Sequence, residues 1–286
     1  MIRLLALFLL ATISVFAAQP TLREQVNALF SERKWAEAQT ILEQAVATEP
    51  ANAEAHYFLG VSFLNRNDPE HALPALEKAV ALNPTNSNYT RHVGDAYGMS
   101  AQKAGLFSKM GWAKKCKAAY DKAVELDPKD INAHWSVMEF CRQAPGFLGG
   151  GMDQAYLQAA AIKQLDPVRG LLAYNTLYVA EKKYPEAFAL YEEALKSAPA
   201  DYTALFQIGR LAAISGERLD QGLENLQRCL KTTVPAGQPG PAPVNWRIGN
   251  IWEKKGDTAA ARTAYEAALA ADPKFTPASD ALAKLP

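Results

Sequence analysis

The sequence predicts an all-α protein, a solenoid of stacked helix pairs, and three observations support this prediction. Apolar residues recur at helical spacing through most of the chain. Pro50 and Pro84 lie 34 residues apart, a period typical of repeat proteins. The same pattern also precedes several prolines: alanine five residues upstream, leucine or tyrosine eight, and a small residue twelve, before Pro50, Pro84, Pro128 and Pro273.

The N-terminus predicts a secretory signal peptide over residues 1–17. Arg3 supplies a short positive segment, residues 4–16 form an uncharged and mostly apolar run, and the residues up to Ala17 fit the small-residue cleavage pattern. This run is shorter than the roughly 20 residues that span a bilayer, which favours cleavage before Ala18 over an uncleaved anchor, the alternative that stays open. We therefore expect an exported protein of bacterial type, either periplasmic or secreted.

The amino-acid composition argues against several classes of function. Lys and Arg together number 30, as do Asp and Glu, and this neutral balance argues against a general nucleic-acid binder. No second apolar stretch is long enough to cross a membrane, so we expect no transmembrane segment after signal cleavage. Cys116, Cys141 and Cys229 are too few for a disulfide framework, and Cys116 and Cys229 fall where the repeat favours a small buried residue. A Cys116–Cys141 bridge stays open as an alternative.

Each repeat is predicted to be two amphipathic helices joined by a short turn. In the second repeat, Leu59, Gly60 and Phe63 mark the first helix, and Leu76 and Ala79 mark the second. Asp or Asn followed by proline ends the repeats, because proline does not continue the preceding helix. The matching positions are Asn83-Pro84, Asp127-Pro128, Asp166-Pro167 and Asp272-Pro273.

These residues resemble the tetratricopeptide repeat family. The last repeat matches best, with Gly249, Trp252, Ala261, Tyr265 and Pro273 in register. The resemblance implies a right-handed α-solenoid of about seven helix-turn-helix repeats, closed by a C-terminal capping helix over residues 277–285. The repeats start near Gln19, Ala53, Ser87, Lys129, Val168, Tyr202 and Ala242.

Three segments depart from the repeat. Surplus residues near 100–112 are expected either to lengthen both helices of the third repeat or to form a protruding loop, and residues 144–151 lengthen the turn of the fourth. Residues 233–243 are rich in proline and glycine and are expected to be a linker. The predicted organisation is a signal peptide (1–17), repeats one to six (19–232), the linker (233–243), and repeat seven with the capping helix (244–286). Pro74 is expected inside a helix, where it removes a hydrogen bond.

The sequence contains no HExxH, GxSxG, P-loop or CxxC motif, and its four histidines lack metal-ligand spacing. We therefore expect a non-enzymatic protein with no catalytic residues, no metal site and no cofactor. A remote alternative is an enzyme with an anion-binding site at Gly149–Asp153, where three glycines precede a predicted helix start.

The resemblance implies that a partner protein or peptide binds along the concave face lined by the first helices. The family's ligand positions fall on Arg23, Asn27, Tyr57, Val61, Asn65, Arg91, Asp95, Val137, Arg169, Thr176, Phe206, Arg210, Trp246 and Asn250. The strongest candidates are Tyr57, Asn65, Arg91, Asp95, Arg169, Phe206, Arg210, Trp246 and Asn250. Arginines next to aromatics suit a peptide that carries carboxylates.

A second hypothesis assigns the function to the inserted segment. Its lysines are Lys103, Lys109, Lys114, Lys115, Lys117 and Lys122. In this alternative the protein is an assembly subunit that docks on an envelope complex through the Lys-rich segment, while the concave face stays empty.

Overall fold

The computed structural model describes residues 20–285, so the predicted signal peptide lies outside the described residues. Within that range the chain forms α-helices, one short 3₁₀ helix and turns, with no strand, which confirms the all-α prediction. The chain divides into two compact units, residues 1–127 and 128–286, called here the N-terminal and C-terminal units.

The described part of the N-terminal unit contains three helix pairs, repeats one to three. They are α1 (Leu22–Ser31) with α2 (Trp35–Thr48), α3 (Ala53–Asn65) with α4 (Pro69–Leu82), and α5 (Ser87–Lys103) with α6 (Leu106–Leu126).

The described part of the C-terminal unit contains four further pairs, repeats four to seven, and a last helix. They are α7 (Ile131–Gln143) with α8 (Met152–Leu165), α9 (Pro167–Ala180) with α10 (Tyr184–Ser197), α11 (Tyr202–Ser215) with α12 (Leu219–Leu230), α13 (Pro241–Lys255) with α14 (Thr258–Ala271), and α15 (Thr276–Leu282). Ala278 of α15 is fully buried in one cluster with Tyr265 and Ala268 of α14, so α15 is the predicted capping helix.

Short polar side chains fix where the helices begin. Asn52, Asn86, Asp201 and Asp257 each accept a hydrogen bond from the backbone N–H three residues ahead. Each such cap satisfies a donor that the first turn leaves unpaired and contributes about 1 kcal/mol. These four residues therefore start helices, whereas Asn83, Asp127 and Asp272, each followed by a proline, lie at the C-terminal ends of the preceding ones.

The turns inside five of the seven repeats share one conformational requirement. The residue that reverses the chain is left-handed at Arg33 (φ 57°), Asn67 (φ 59°), Lys182 (φ 58°), Gly216 (φ 82°) and Gly256 (φ 79°). Arg33 and Asn67 are 34 residues apart, as are Lys182 and Gly216. The turn geometry therefore repeats with the period of the sequence pattern, although only two of these positions carry the glycine that favours it.

The two helices of a pair approach closely where the repeat pattern places a small residue. A Cβ added at Gly209 would lie 2.2 Å from Leu226 Cγ, and one added at Gly249 would lie 2.3 Å from Tyr265 Cε1. Because such distances are far inside van der Waals contact, these positions accept only glycine without a shift of the neighbouring helix.

The third repeat is enlarged through its helices. Helices α5 and α6 have 17 and 21 residues, against 13 and 14 for α3 and α4. Of the two predicted alternatives, the lengthening of both helices is the correct one. In the fourth repeat the surplus residues form a 3₁₀ helix (Gly146–Leu148), and Pro74 lies inside α4 with its ring exposed.

All three cysteines are buried, with exposed fractions of 3% for Cys116 and 1% for Cys141 and Cys229. No disulfide joins them in the described part of the chain. Cys116 and Cys229 thus occupy small buried positions, as the repeat pattern predicted.

Candidate functional site

Every predicted site residue lies on the first helix of a repeat. Tyr57 and Asn65 are on α3, and Arg91 and Asp95 are on α5, all in the N-terminal unit. The C-terminal unit carries the others: Arg169 on α9, Phe206 and Arg210 on α11, and Trp246 and Asn250 on α13.

A pocket of about 410 Å³ opens in the N-terminal unit between the first helices of successive repeats. Helix α1 contributes Arg23 and Asn27, both at predicted ligand positions, and α3 contributes Tyr57. Its remaining lining residues are Glu54, Phe58, Asn86, Asn88 and Tyr89. Of the nine strongest candidates, only Tyr57 lines this pocket.

An aromatic group forms one wall. The Tyr57 ring stacks on the Tyr89 ring with centroids 4.6 Å apart and an interplanar angle of 20°, and it tilts against Phe58 at 5.2 Å. Burial raises the pKa of the Tyr57 hydroxyl, which stays protonated at neutral pH. Because Tyr57 Oη accepts a hydrogen bond from Asn88 Nδ2 at 2.8 Å, its own hydrogen can be donated into the pocket.

Arg91 and Asp95 form hydrogen bonds with other side chains of the protein. Arg91 Nη1 donates to Asp95 Oδ2 at 3.1 Å, and the Arg91 side chain is only 16% exposed. Tyr120 Oη of α6 donates to the other carboxylate oxygen of Asp95 at 2.7 Å. Arg91 Nη2 donates to Asn88 Oδ1 at 2.9 Å, and Asn88 in turn holds Tyr57. Arg91 and Asp95 therefore position the pocket wall.

The pocket contains both charge signs. Arg23 forms an ion pair with Glu54, and the Arg23 side chain is 66% exposed, while that of Glu54 is 31% exposed. With the amides of three asparagines, the pocket offers hydrogen-bond donors and acceptors beside an apolar ring surface. Such a mixture suits main-chain groups and a side chain of a bound peptide.

Three of the predicted residues of the C-terminal unit make internal contacts. Arg169 Nη2 donates to Asn132 Oδ1 of α7 at 2.8 Å, and Asn250 Nδ2 donates to Tyr265 Oη at 2.9 Å. Phe206 is 6% exposed and belongs to the hydrophobic core, so it offers a ligand little surface. Asn65 of the N-terminal unit is exposed, and its amide bonds to Val61 O of its own helix at 2.9 Å.

Arg210 and Trp246 lie near a cation that the sequence did not single out, Arg247. The Arg247 guanidinium lies over the Trp246 ring, 4.0 Å from its centroid. Burial lowers the pKa of Arg247 to about 10, and the positive charge of Arg210 adds to this effect. Arg247 occupies the sixth position of its repeat, which is not among the ligand positions carried over from the family.

The three glycines of the fourth repeat donate their N–H groups to backbone carbonyls. Gly149 N–H donates to Gly146 O at 2.9 Å, Gly150 N–H to Pro145 O at 3.2 Å, and Gly151 N–H to Cys141 O at 2.7 Å. The N–H groups of these three glycines are thus engaged in backbone hydrogen bonds, and helix α8 begins directly after them at Met152. No cluster of three or more His, Cys, Asp or Glu side chains suited to a metal occurs among residues 20–285.

The lengthened hairpin of α5 and α6 carries the predicted lysines. Lys117 pairs with Asp121 at 2.7 Å and Lys122 with Glu125 at 3.1 Å. Lys109 and Lys114 are exposed and form no ion pair in the part of the chain that the structure describes. None of the described helices has the length and apolarity needed to span a bilayer.

Comparison with known proteins agrees with this architecture. A tetratricopeptide repeat model matches residues 23–87, and a second model of the same description matches residues 98–130 and 242–275. No curated protein matches the chain.

Three solved structures have a similar fold. A tetratricopeptide repeat protein from Parabacteroides merdae has a TM-score of 0.61 at 15% identity, with 92% of this chain and 96% of that chain covered. Yeast Tom70 has a TM-score of 0.67 at 15% identity and covers 96% of this chain, which spans 58% of Tom70. A thermophilic TPR protein from Thermus thermophilus has a TM-score of 0.52 at 21% identity, with 73% and 97% covered. With helix pairs of the predicted register in both units and family matches in each, the chain is a tetratricopeptide repeat protein.

Proposed function

We propose that the chain is an exported, non-enzymatic scaffold that binds an extended segment of a partner protein along the first helices of its repeats. Its tetratricopeptide repeat fold supports a role in protein–protein interaction. The observation that carries the finer proposal is the 410 Å³ pocket of the N-terminal unit, which is built mainly from the first helices of three successive repeats.

The chemistry of the pocket favours an extended peptide. Such a segment presents carbonyl and N–H groups at regular intervals, and the pocket supplies the Tyr57 hydroxyl together with asparagine amides. The stacked rings of Tyr57 and Tyr89 give a rigid apolar surface for one side chain. The ion pair of Arg23 and Glu54 adds a charged group of each sign at the same pocket.

Export is proposed from the N-terminal sequence. Arg3, the apolar run over residues 4–16 and the small residues at Ala17 and Ala18 together form a signal-peptide pattern. The partner is therefore proposed to lie outside the cytoplasm, in the periplasm or the medium, and nucleic acid is not proposed as a ligand of this neutral chain.

A second candidate function is docking through the lengthened hairpin of the third repeat. It is favoured by one observation: Lys109 and Lys114 are exposed without an ion pair among the described residues, and Met110 between them is 47% exposed. In this candidate the hairpin contacts an acidic surface of an envelope assembly, and the pocket plays no part.

The pocket is tested with a matched pair of tyrosine variants in the full chain. Peptides are selected from a displayed random library, and their Kd is measured by fluorescence anisotropy. Tyr57→Phe keeps the ring and removes the hydroxyl, so the loss of one hydrogen bond of about 1 kcal/mol should weaken binding about fivefold.

The control is Tyr97→Phe, on the neighbouring helix α5. Tyr97 Oη donates to Glu77 at 2.9 Å, outside the pocket, so this variant should bind every selected peptide as the native chain does. Equal affinities for the native chain and Tyr57→Phe, or equal losses in both variants, would contradict binding in this pocket.

A further inference from the structure

The surplus residues of the third repeat all lie at one end of its hairpin. Asn52 and Asn86 cap α3 and α5 at the same position of their repeats, and Asn83 and Asp127 end α4 and α6 just before a proline. The added length of α5 and α6 therefore lies at the turn between them. The difference between 21 residues in α6 and 14 in α4 corresponds to about 10 Å of helix. Residues 100–115 are called here the hairpin tip.

The hairpin tip is a convex surface. A Cβ added at Gly105 or at Gly111 would have no atom within 4 Å. Met110 is 47% exposed, and Lys109 and Lys114 on either side of it are exposed as well. A surface of this shape offers no cleft that could enclose a peptide or a small molecule, so a partner has to meet the tip from outside.

The charge of this region has a single sign. Between Asp95 and Asp121 the chain contains five lysines and no Asp, Glu or Arg. The two flanking carboxylates are already engaged, since Asp95 pairs with Arg91 and Asp121 with Lys117. The lysines of the hairpin tip are therefore not neutralised by the acidic residues that border them in the chain.

Contacts within the protein leave the charges of the tip in place. Lys103 Nζ donates to the backbone carbonyl of Asn67, a neutral group. Lys109 and Lys114 form no ion pair among the described residues, as noted above. Like charges held close together repel one another. An external surface of negative charge would relieve this repulsion and attract each ammonium group.

Aromatic and apolar groups lie among these lysines. The ring of Trp112 is 5.7 Å from that of Tyr97, and Lys115 Nζ lies 4.7 Å from the centroid of the Trp112 ring. Tyr97 Oη donates to Glu77 of the preceding repeat, which fixes the aromatic pair at the base of the tip. A tryptophan and lysines with long apolar stems suit the boundary between water and the apolar interior of a membrane.

The residue types favour a lipid surface over a protein surface. Arginine has a planar fork that matches carboxylates held in one geometry, whereas lysine is a flexible point charge. The tip contains only lysines, which suit headgroups that move and carry diffuse negative charge. Met110 exposed among them adds an apolar group that can enter the acyl boundary.

We propose that the hairpin tip binds the surface of an anionic phospholipid membrane. The lysines contact the phosphate headgroups, and Met110 and Trp112 lie at the edge of the acyl region. The inference goes beyond the peptide-binding function, because it gives the third repeat a lipid partner that the pocket does not require. It also differs from docking on an envelope assembly, in which the surface that the tip meets is an acidic protein.

The test is co-sedimentation of the full-length chain with vesicles. One set is phosphatidylcholine alone, and the other contains about one third phosphatidylglycerol. We expect saturable binding to the anionic vesicles only, and weaker binding as NaCl is raised to about 0.5 M, because salt screens the lysines. Absence of binding to the anionic vesicles, or equal binding to both sets, overturns the proposal.

Two double variants of equal net charge locate the binding surface. Lys109→Gln with Lys114→Gln removes two unpaired charges of the tip and should weaken vesicle binding about 25-fold, since a lysine near an anionic surface contributes about fivefold. Lys117→Gln with Lys122→Gln removes two charges of the same helix that pair with Asp121 and Glu125, and it should retain most of the affinity. Equal losses in the two double variants would show that net charge alone is responsible and would overturn the proposal.

The apolar contribution has its own variant. Met110→Ser removes the exposed thioether without a change of charge, and it should weaken binding about fivefold at every salt concentration. Lys109→Arg with Lys114→Arg keeps both charges and should bind anionic vesicles as the native chain does. A strong loss in this arginine variant would indicate a site of fixed geometry, and hence a protein partner, against the proposal.

Failure of this inference is distinguishable from failure of the peptide-binding function. Tyr57→Phe should bind anionic vesicles as the native chain does, because Tyr57 lines the pocket and lies outside the tip. Vesicle binding without any selected peptide supports the lipid surface and counts against the peptide-binding proposal. Peptide binding without vesicle binding overturns the lipid surface and leaves the pocket function intact.

Discussion

Two glycines on α5 allow the close packing of the repeat to be tested by a single methyl group. A Cβ added at Gly94 would lie 2.5 Å from Cδ1 and Cε1 of Tyr120, whereas one added at Gly98 would lie 3.4 Å from Cys116 Sγ. The Tyr120 ring cannot move aside freely, because its hydroxyl donates to Asp95 at 2.7 Å. Gly94→Ala therefore overpacks the α5–α6 contact, and Gly98→Ala, one turn away, makes an ordinary contact.

The difference between the two variants isolates the packing effect. Both replace glycine by alanine inside the same helix, which favours the folded state by about 1 kcal/mol in each. Overpacking at Gly94 is expected to cost about 1–3 kcal/mol. Gly98→Ala should thus stabilise the chain by up to about 1 kcal/mol, and Gly94→Ala should be about 1–3 kcal/mol less stable than Gly98→Ala.

The assay is urea unfolding followed by far-UV circular dichroism, combined with hydrogen exchange of the α5 and α6 amides. Hydrogen exchange is needed because repeat proteins open locally, so a change confined to one repeat can be lost in a global transition. We expect faster exchange in α5 for Gly94→Ala and slower exchange for Gly98→Ala. If Gly94→Ala equals or exceeds Gly98→Ala in stability, the close approach of α5 to Tyr120 does not limit the residue at this position.

Two further predictions concern export and the lengthened hairpin. When the full chain is produced in a Gram-negative host, the protein recovered from the periplasm should begin at Ala18 by N-terminal sequencing, and a cytoplasmic product that retains Met1 would refute export. If the hairpin docks, replacing Lys109 and Lys114 by Glu should abolish capture of an envelope partner, because attraction to an acidic surface becomes repulsion. Lys117→Glu is the control. Equal capture by the double variant and by this control would contradict docking through the hairpin.

The fold was predictable from the sequence because helix packing requires particular residues at fixed positions of each repeat. Gly60, Gly94 and Gly249 are required where two helices touch, and Asn52 or Asp257 where a helix starts, so spacing alone identifies the helix pairs. The left-handed turns were harder to predict from the sequence, because Arg33, Asn67 and Lys182 adopt a conformation that glycine favours. In those turns the packing of the two flanking helices fixes the backbone against the local preference.

The site was less predictable from the sequence. The family's ligand positions indicate the face of the helix on which a residue lies, but not the residue that it contacts. Arg91 and Asp95 were assigned to a ligand, although their i,i+4 spacing on one helix already indicates an ion pair. Asn88 and Glu54 were missed, although each occupies the second position of its repeat, as Arg169 does. Phe206 is buried in the hydrophobic core of the C-terminal unit. The pattern of a single repeat does not predict this packing.

Repeat five has the apolar packing of the other repeats but differs from them in its buried polar residues. In repeats two, three, six and seven, glycine at the eighth position faces a large side chain of the second helix, but repeat five carries Asn175 there, opposite the helix that holds Tyr191. Asn175 Oδ1 and Tyr191 Oη are both buried without a hydrogen-bond partner among the described residues, at a cost of about 1–3 kcal/mol for each. A glycine at position 175, as in those four repeats, would avoid the unpaired amide. Buried polar groups that lack a partner are typically retained at functional sites. The polar residues that break the repeat pattern are therefore the better guide to specificity in this chain, and those that follow the pattern account for its fold.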